Sequence, residues 1–305
     1  MASNPLCIDC HADARNDDYG IIMVSIVITT KNAEEFIVDC IKSVVNSNYI
    51  KEGGKVEIIL VDNHSTDKTV EIAKSFGVKT FIKGPERSAQ RNYGVEMAFG
   101  EIVGILDVDM TLSETVINEC VEIFENNENI KAVYVPEKIF GEGFFNKVRN
   151  FERSFYNATV IDGARFFRRE SFLQIGGFDI SLNGTEDWDI DRRIKNIGEV
   201  SIIKSNLFHH ENHNLKKYII KKSYYASNFD NYFKKWGFDE ITKKQFGFYY
   251  RYFGVFIEKG KWKKLFAHPL LSFSMYFLLF LRGCVFILSK FNISKKESVY
   301  NLKKK

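Results

Sequence analysis

Cysteine is sparse in this 305-residue chain: Cys7, Cys10, Cys40, Cys120 and Cys284 form an odd, scattered set. Such a set excludes a disulfide-stapled miniprotein and fits a reducing compartment. Residues 1–20 lack an apolar stretch, so no secretory signal is expected there. Repeats and low-complexity tracts are missing, and the composition excludes a collagen-like or wholly disordered chain. One short motif, Cys7-Ile8-Asp9-Cys10-His11, has the spacing of a haem attachment site. No signal delivers it to an oxidising compartment and no second cysteine pair completes a zinc site. It reads as chance in a 22-residue extension, expected to be disordered, ahead of a natural-looking start at Met23. Net charge is only +4 and by itself implies no particular partner.

With 45% hydrophobic residues, the chain has enough material for one large domain or two small ones. Apolar, β-branched runs at 24–29 (VSIVIT), 56–61 (VEIILV), 78–82, 102–106 (IVGIL) and 131–135 have strand length. Between them, 33–45, 66–76, 87–99 and 113–125 carry helical periodicity. Strands alternating with helices predict an α/β fold with a mostly parallel sheet covered on both faces. Near Asn214 the texture changes. Residues 214–305 hold 20 Lys/Arg against 5 Asp/Glu and 24 of the 45 aromatics. Residues 216–236 and 242–265 read as basic, aromatic helices, and 269–289 is apolar with one charge, Arg282. An acidic front half joined to a basic, aromatic back half suggests two jobs on one chain.

In open α/β sheets ligands collect beyond the carboxyl ends of the strands. Here the first strand ends in Thr29-Thr30-Lys31-Asn32, the second in Asp62-Asn63-His64-Ser65-Thr66-Asp67, and the fourth in Asp107-Val108-Asp109. Asp67 alone is best read as a helix cap. On an extended segment, Asp107 and Asp109 point the same way and face one ligand. They repel unless a cation sits between them or one protonates, and a hard divalent ion shared with substrate phosphates is the usual solution. Further on, Glu186-Asp187-Trp188-Asp189-Ile190-Asp191 packs four acids into six residues. If a helix starts at Gly184 or Thr185, Glu186 and Asp187 sit in its first turn, and Asp191 can pair with Lys195. Three of the six histidines fall in His209-His210-Glu211-Asn212-His213, either a metal ligand or a polar loop. Gly176 and Gly177 allow a tight turn or a close backbone approach.

Taken in order, IVITTKN, ILVDNHSTDKT, RSAQRNYG, ILDVDM and GGFD…NGTEDWD resemble the successive signatures of family 2 glycosyltransferases, over roughly residues 23–213. The resemblance implies an inverting enzyme of the GT-A fold that uses a nucleotide-diphosphate sugar, with a UDP-sugar favoured. It implies that Thr29 and Asn32 line the nucleotide pocket and that Asp62, with Asn63 beside it, meets the base. Arg91 would reach the base or phosphates, and Asp107 the ribose or the metal. Asp109 would ligate a divalent metal, Mn or Mg, with His209 completing the site and His210 the weaker choice. Asp187 would be the general base, and Glu186, Trp188 and Asp179 would lie on the acceptor side. The chemistry agrees with these roles. A diphosphate leaving group gains charge as the glycosidic bond breaks, and a metal and an arginine stabilise it most in the transition state.

Residues 269–289 are long enough to cross a hydrocarbon core of about 30 Å, but an arginine such as Arg282 costs about 2.5–3.5 kcal/mol at a helix centre, which an in-plane or re-entrant helix largely avoids; a core helix in a soluble domain is the other reading. Lysine pairs interleaved with aromatics suit an anionic membrane surface better than nucleic acid, because an apolar segment has no use on RNA. The expectation is therefore a catalytic domain over 23–213 and a helical region over 214–305. The second region would hold the enzyme at the cytoplasmic face of a membrane, near a lipid-linked or glycan acceptor. A chain ending at Ala267 is expected to remain folded. The rival readings are a nucleotidyltransferase, which would need a Gly/Arg/Lys-rich loop where this chain has TTKN, and a non-catalytic membrane scaffold.

Overall fold

The computed structural model describes residues 21–210 and 229–284. The motif over residues 7–11, His213, the lysine pairs at 216–217 and 221–222, and the end of the 269–289 stretch lie outside the described residues. In chain order the elements are β1 (Met23–Thr30), α1 (Ile37–Val45), α2 (Asn48–Lys51), β2 (Lys55–Asp62), α3 (Thr69–Ser75), β3 (Lys79–Ile82), α4 (Arg87–Glu96), β4 (Ile102–Asp107) and β5 (Met110–Leu112). There follow α5 (Val116–Asn126), β6 (Ile130–Tyr134), β7 (Glu137–Ile139), α6 (Phe144–Arg153), β8 (Phe166–Arg168), α7 (Arg169–Gln174), α8 (Glu186–Lys195), β9 (Glu199–Ile202) and β10 (Leu207–His209). The chain divides into two compact units. Of the described residues, the first takes 21–140, 161–180 and 186–210, and the second 141–160, 181–185 and 229–284.

The first unit is α/β, as the alternation of runs predicts. Its seven-stranded sheet has the order β3-β2-β1-β4-β8-β6-β9, with β8 antiparallel to β4 and β6 and the other pairs parallel. β1 is buried along almost its whole length, as a β-branched strand covered on both faces should be. α1 buries Ile37, Cys40, Ile41 and Val44, one stripe at helical spacing. The chain runs outward from β1 through β2 to β3, then returns to the other side of β1 as β4. Such a reversal opens a crevice at the strands' carboxyl ends. The register sets Thr29 opposite Asp107 and Thr30 opposite Asp62 at that edge.

The Asp107-Val108-Asp109 segment departs from the expected extended geometry, because Val108 and Asp109 form a turn between β4 and β5. Here the backbone changes sheets. Val108 N donates to Thr29 O (3.2 Å) in the large sheet, and Asp109 O then accepts from His210 N (2.7 Å). β5, β10 and β7 make the separate three-stranded sheet, in the order β5-β10-β7.

In the second unit, 141–160 and 181–185 group with the C-terminal helices. The reason is electrostatic as well as apolar. Glu152 on α6 is fully buried, and Arg149, Tyr156 and Arg282 all donate to it. Burial alone would raise its pKa, but Arg282 and Arg149 hold it well below the usual carboxylate range. Residues 269–284 are helical and bury Met275, Leu278 and Leu279. Arg282 is thus half of an ion pair and not a lone charge in an apolar segment. A chain ending at Ala267 would lose Arg282 together with the buried Met275, Leu278 and Leu279, and would leave Glu152 with Arg149 and Tyr156. The single helix expected over 242–265 is broken into short helices, among them Glu240–Phe246, Val255–Ile257 and Trp262–Ala267. Gly247 closes the first of these, and Lys259 has φ 53° at a later break. Among the described residues no helix is long and apolar enough to cross a membrane.

Candidate active site

The loops after β1 and β2 are stitched together side by side. Asn32 adopts φ 47°, and its Oδ1 accepts from Thr66 N (2.8 Å) while its own N donates to Ser65 Oγ (2.7 Å). Asn is among the few residues that tolerate this left-handed backbone. Asp62 is buried and accepts from Ser65 N (2.7 Å) and Ser65 Oγ. Asn63 Nδ2 donates to Pro85 O (2.9 Å). Asp67 accepts from Thr69 N, the first residue of α3, and from Glu34 N (both 3.1 Å), so beside the helix-start role read from the sequence it ties the two loops together. These residues gather at the carboxyl ends of β1 and β2.

α4 contributes Gln90-Arg91-Asn92. Successive helical residues are about 100° apart, so three neighbours serve three directions. Gln90 Nε2 donates to Thr30 O (3.1 Å) and Val61 O (2.7 Å), fixing the helix to the sheet. A Cβ at Gly94 would lie 2.3 Å from Val27 Cγ1, so a glycine lets the helix sit this close. Asn92 clamps Phe178 through paired backbone bonds of 2.8 Å. Arg91, only 1% exposed, donates to both oxygens of Asp107 (2.9 and 3.1 Å) and to Asp187 Oδ1 (3.1 Å), with Glu186 Oε1 at 3.9 Å. The Phe178 ring lies against its guanidinium at 5.1 Å.

Asp107 also accepts from Thr29 Oγ1 (3.1 Å) and faces Arg87 Nη1 at 3.5 Å. Burial would raise its pKa, but Arg91, Arg87 and Arg165 hold it well below the carboxylate range. Arg87 also donates to Glu186 Oε1 (2.9 Å). The buried Glu186 Oε2, Arg91 Nε and Thr30 Oγ1 have no hydrogen-bond partner among the described residues. Orphaned polar atoms of this kind call for an explanation, and a polar ligand would provide one.

The four acids of α8 divide cleanly. Asp189 is buried and held by Arg193, which also donates to Ile175 O and Gly177 O (both 2.6 Å) and so braces the turn before Phe178. Asp191 pairs with Lys195 Nζ (2.7 Å), as its spacing predicts, and accepts from Tyr134 OH. Glu186 and Asp187 face the arginines. Asp187 is 34% exposed, and its hydrogen bond among the described residues is the one from Arg91. A Cβ at Gly163 would come within 2.8 Å of Asp187 Cβ, so the backbone passes tightly along this acid. Trp188 is half-buried beside it, and Asp179 is half-buried just after the clamped Phe178.

The small sheet brings a third cluster together. His209 Nε2 lies 3.0 Å from Asp109 Oδ2, and its Nδ1 lies 2.8 Å from Glu137 Oε1. Burial disfavours the imidazolium, but bonds to Asp109 and Glu137 outweigh it and push the pKa up to about 9. His210 turns instead to Thr111 Oγ1 (3.1 Å) and the Phe140 ring. Among the described residues no three His, Cys, Asp or Glu side chains converge as a metal cage. Asp109 and His209 Nε2 nevertheless fit a divalent ion that draws its other ligands from substrate oxygens and water. The Glu137 carboxylate on Nδ1 fixes the ring, as the outer partner of a metal-ligating histidine would. Asp107 directs its oxygens to arginines.

Sequence reading missed Arg87, Arg165 and Glu137. The four-residue spacing of Arg87 and Arg91 was a usable signal. Arg165 (3.7 Å from Glu137) and Glu137 are brought in by strand pairing between distant segments, which leaves no local mark.

A family model described as Glycosyl transferase family 2 matches residues 25–178. Among curated relatives, a β-monoglucosyldiacylglycerol synthase from Nostoc sp. is 28% identical over 56% of this chain and 41% of its own length. Against relatives such as this, the chain spans between 32% and 41% of their length. Among solved structures, a mannosyltransferase from Pyrobaculum calidifontis in complex with GDP-Man and Mn2+ superposes with TM-score 0.61 at 17% identity, covering 88% of this chain and 86% of that one. S. aureus TarS 1–349 in complex with UDP-GlcNAc gives 0.52 at 16% identity, over 83% and 79%. The fold they share with this chain is GT-A.

Proposed function

The chain belongs to glycosyl transferase family 2, and from that premise we propose that it transfers a sugar from a nucleotide-diphosphate sugar, a UDP-sugar first, to an acceptor hydroxyl or lipid phosphate with inversion. The observation that carries the reading is Arg91, buried and shared between Asp107 at a strand end and Asp187 on α8. Asp62 meets the base, with Thr29, Asn32 and Asn63 lining the pocket. Arg91, joined by Arg87, faces the diphosphate, whose charge grows as the glycosidic bond breaks. Asp109 and His209 would hold a divalent ion, Mn or Mg, which supplies further charge stabilisation on the leaving group when bound. The acceptor oxygen attacks the anomeric carbon as the bond to the diphosphate breaks, and its proton passes to Asp187. The link to Arg91 fixes one carboxylate oxygen and leaves the exposed side of the group to the acceptor. Glu186, Trp188 and Asp179 shape that side. The acceptor is lipid-linked or a glycan, met at the cytoplasmic face of an anionic membrane.

Two results test the donor site. Asp109→Ala is expected to weaken donor binding and abolish turnover, and titration of UDP- and GDP-sugars by calorimetry, with and without EDTA, checks it. Donor binding that ignores both the substitution and EDTA would remove the metal from the scheme. Glu137→Gln leaves every direct ligand in place but weakens the carboxylate–imidazole bond. Outer-shell losses of this kind typically cost about 10–100-fold in metal affinity. Mn2+ titration followed by electron paramagnetic resonance is the readout, and an unchanged affinity would make Glu137 a merely structural neighbour.

A further inference from the structure

The helix over residues 269–284 is two-faced. Met275, Leu278 and Leu279 are buried in the second unit, and Arg282 on the same helix donates to the buried Glu152. Leu270 (66%), Phe273 (74%), Phe277 (55%) and Phe280 (63%) are exposed. Their spacing of three, four and three residues puts them in one stripe. Phe266 and Trp262, on the preceding helix, are also exposed. Single exposed apolar residues need no explanation, but a continuous stripe does.

We infer that this stripe is a docking face, and that the helix lies flat in the headgroup region of an anionic bilayer. The inference deepens the membrane reading above and rests on it for the choice of occupant. Two observations support it. First, the inner face is already committed. A helix turned to cross the bilayer would withdraw Met275, Leu278 and Leu279 from the unit and leave Glu152 charged, buried and without Arg282, which is strongly unfavourable. Secondly, the surroundings are cationic. Residues 229–284 hold ten Lys/Arg against four Asp/Glu, and Lys259, Lys263 and Lys264 on the approach to the helix are exposed. That excess attracts anionic lipid and opposes stacking against a second copy of the same face.

The test uses the full chain and vesicles of phosphatidylcholine with or without phosphatidylglycerol. Wild type is expected to float with the anionic vesicles. Phe273→Ser/Phe277→Ser is expected to lower the partition coefficient by about 100-fold or more, since two large apolar side chains lose their burial. The melting temperature should hardly move, because both positions are exposed. Lys259→Glu/Lys263→Glu leaves the stripe intact and should weaken binding to anionic vesicles, with a shallower salt dependence. Orientation is read from a bimane label on Leu270→Cys, Phe273→Cys, Phe277→Cys or Phe280→Cys, with Cys7, Cys10 and Cys284 replaced by serine. Quenching by lipids brominated at different depths should give one shared, shallow depth. A helix inserted end-on would give depths that change by about 15 Å from the first position to the last. That slope, or serine variants that float like wild type, overturns the docking face while leaving a membrane partner. Failure of wild type to float with either vesicle overturns the membrane reading itself. A wild-type dimer in sedimentation that the serine variant dissolves, without vesicle binding, would assign the stripe to a second copy of the chain.

Discussion

Arg91→Met is expected to abolish detectable turnover and to lower the stability of the first unit by about 3–5 kcal/mol, the usual cost of removing one partner from a buried ion pair. The guanidinium is almost wholly buried and reaches two carboxylates within 3.1 Å, with a third at 3.9 Å. Methionine fills much of the volume and supplies none of the charge, so Asp107 and Asp187 lose the guanidinium that bonds them, while Glu186 keeps Arg87. Urea unfolding followed by tryptophan fluorescence gives the stability. Arg91→Met/Asp107→Asn should regain part of the stability and none of the activity, because the buried negative charge is gone while the leaving-group contact is still missing. Arg91→Lys should remain defective, since one ammonium cannot span Asp107 and Asp187 as a planar fork does. If Arg91→Met unfolds within about 1 kcal/mol of wild type, in the range of ordinary surface substitutions, the network is not a buried charge cluster.

Asp187→Asn is expected to reduce kcat by roughly 10²–10⁴-fold with donor affinity nearly unchanged. Asparagine keeps the shape and an oxygen for Arg91 Nη1, but it cannot take a proton. Initial rates with an acceptor, set beside donor calorimetry, separate the two effects. Turnover within a few-fold of wild type would move proton acceptance elsewhere. Glu186 would be the next choice, because Asp189 is engaged by Arg193 and Asp191 by Lys195 and Tyr134.

Much of this fold was legible because its signals are local. Short β-branched runs between amphipathic stretches point to a mostly parallel sheet, and polar clusters after the first, second and fourth runs mark its edge. Asp67 and Asp191 were readable for the same reason: a cap and an i,i+4 pair need only neighbours in sequence. The Asp107-Val108-Asp109 geometry was misread because an extended strand was assumed to continue, whereas the backbone leaves one sheet for another at that point. Glu137 was invisible because β7 meets β10 across some seventy residues of chain, and Arg165 because its backbone bonds run to the distant Val133 and Ile105. Arg282 was legible as a lone charge in an apolar run, but its partner on α6 lies 130 residues away.

The Gln90-Arg91-Asn92 triplet has a consequence for how such a protein can change. Its three side chains hold the sheet, the acidic site and the turn at Phe178, and each depends on the angular phase of α4. Inserting or deleting one residue upstream within the helix turns all three by about 100° together, so no single compensating substitution restores them. Point changes along α4 can be absorbed one at a time, whereas a change in its length cannot. Lineages carrying this arrangement should vary freely in the length of the loops on either side of the helix while the helix itself keeps its count of residues.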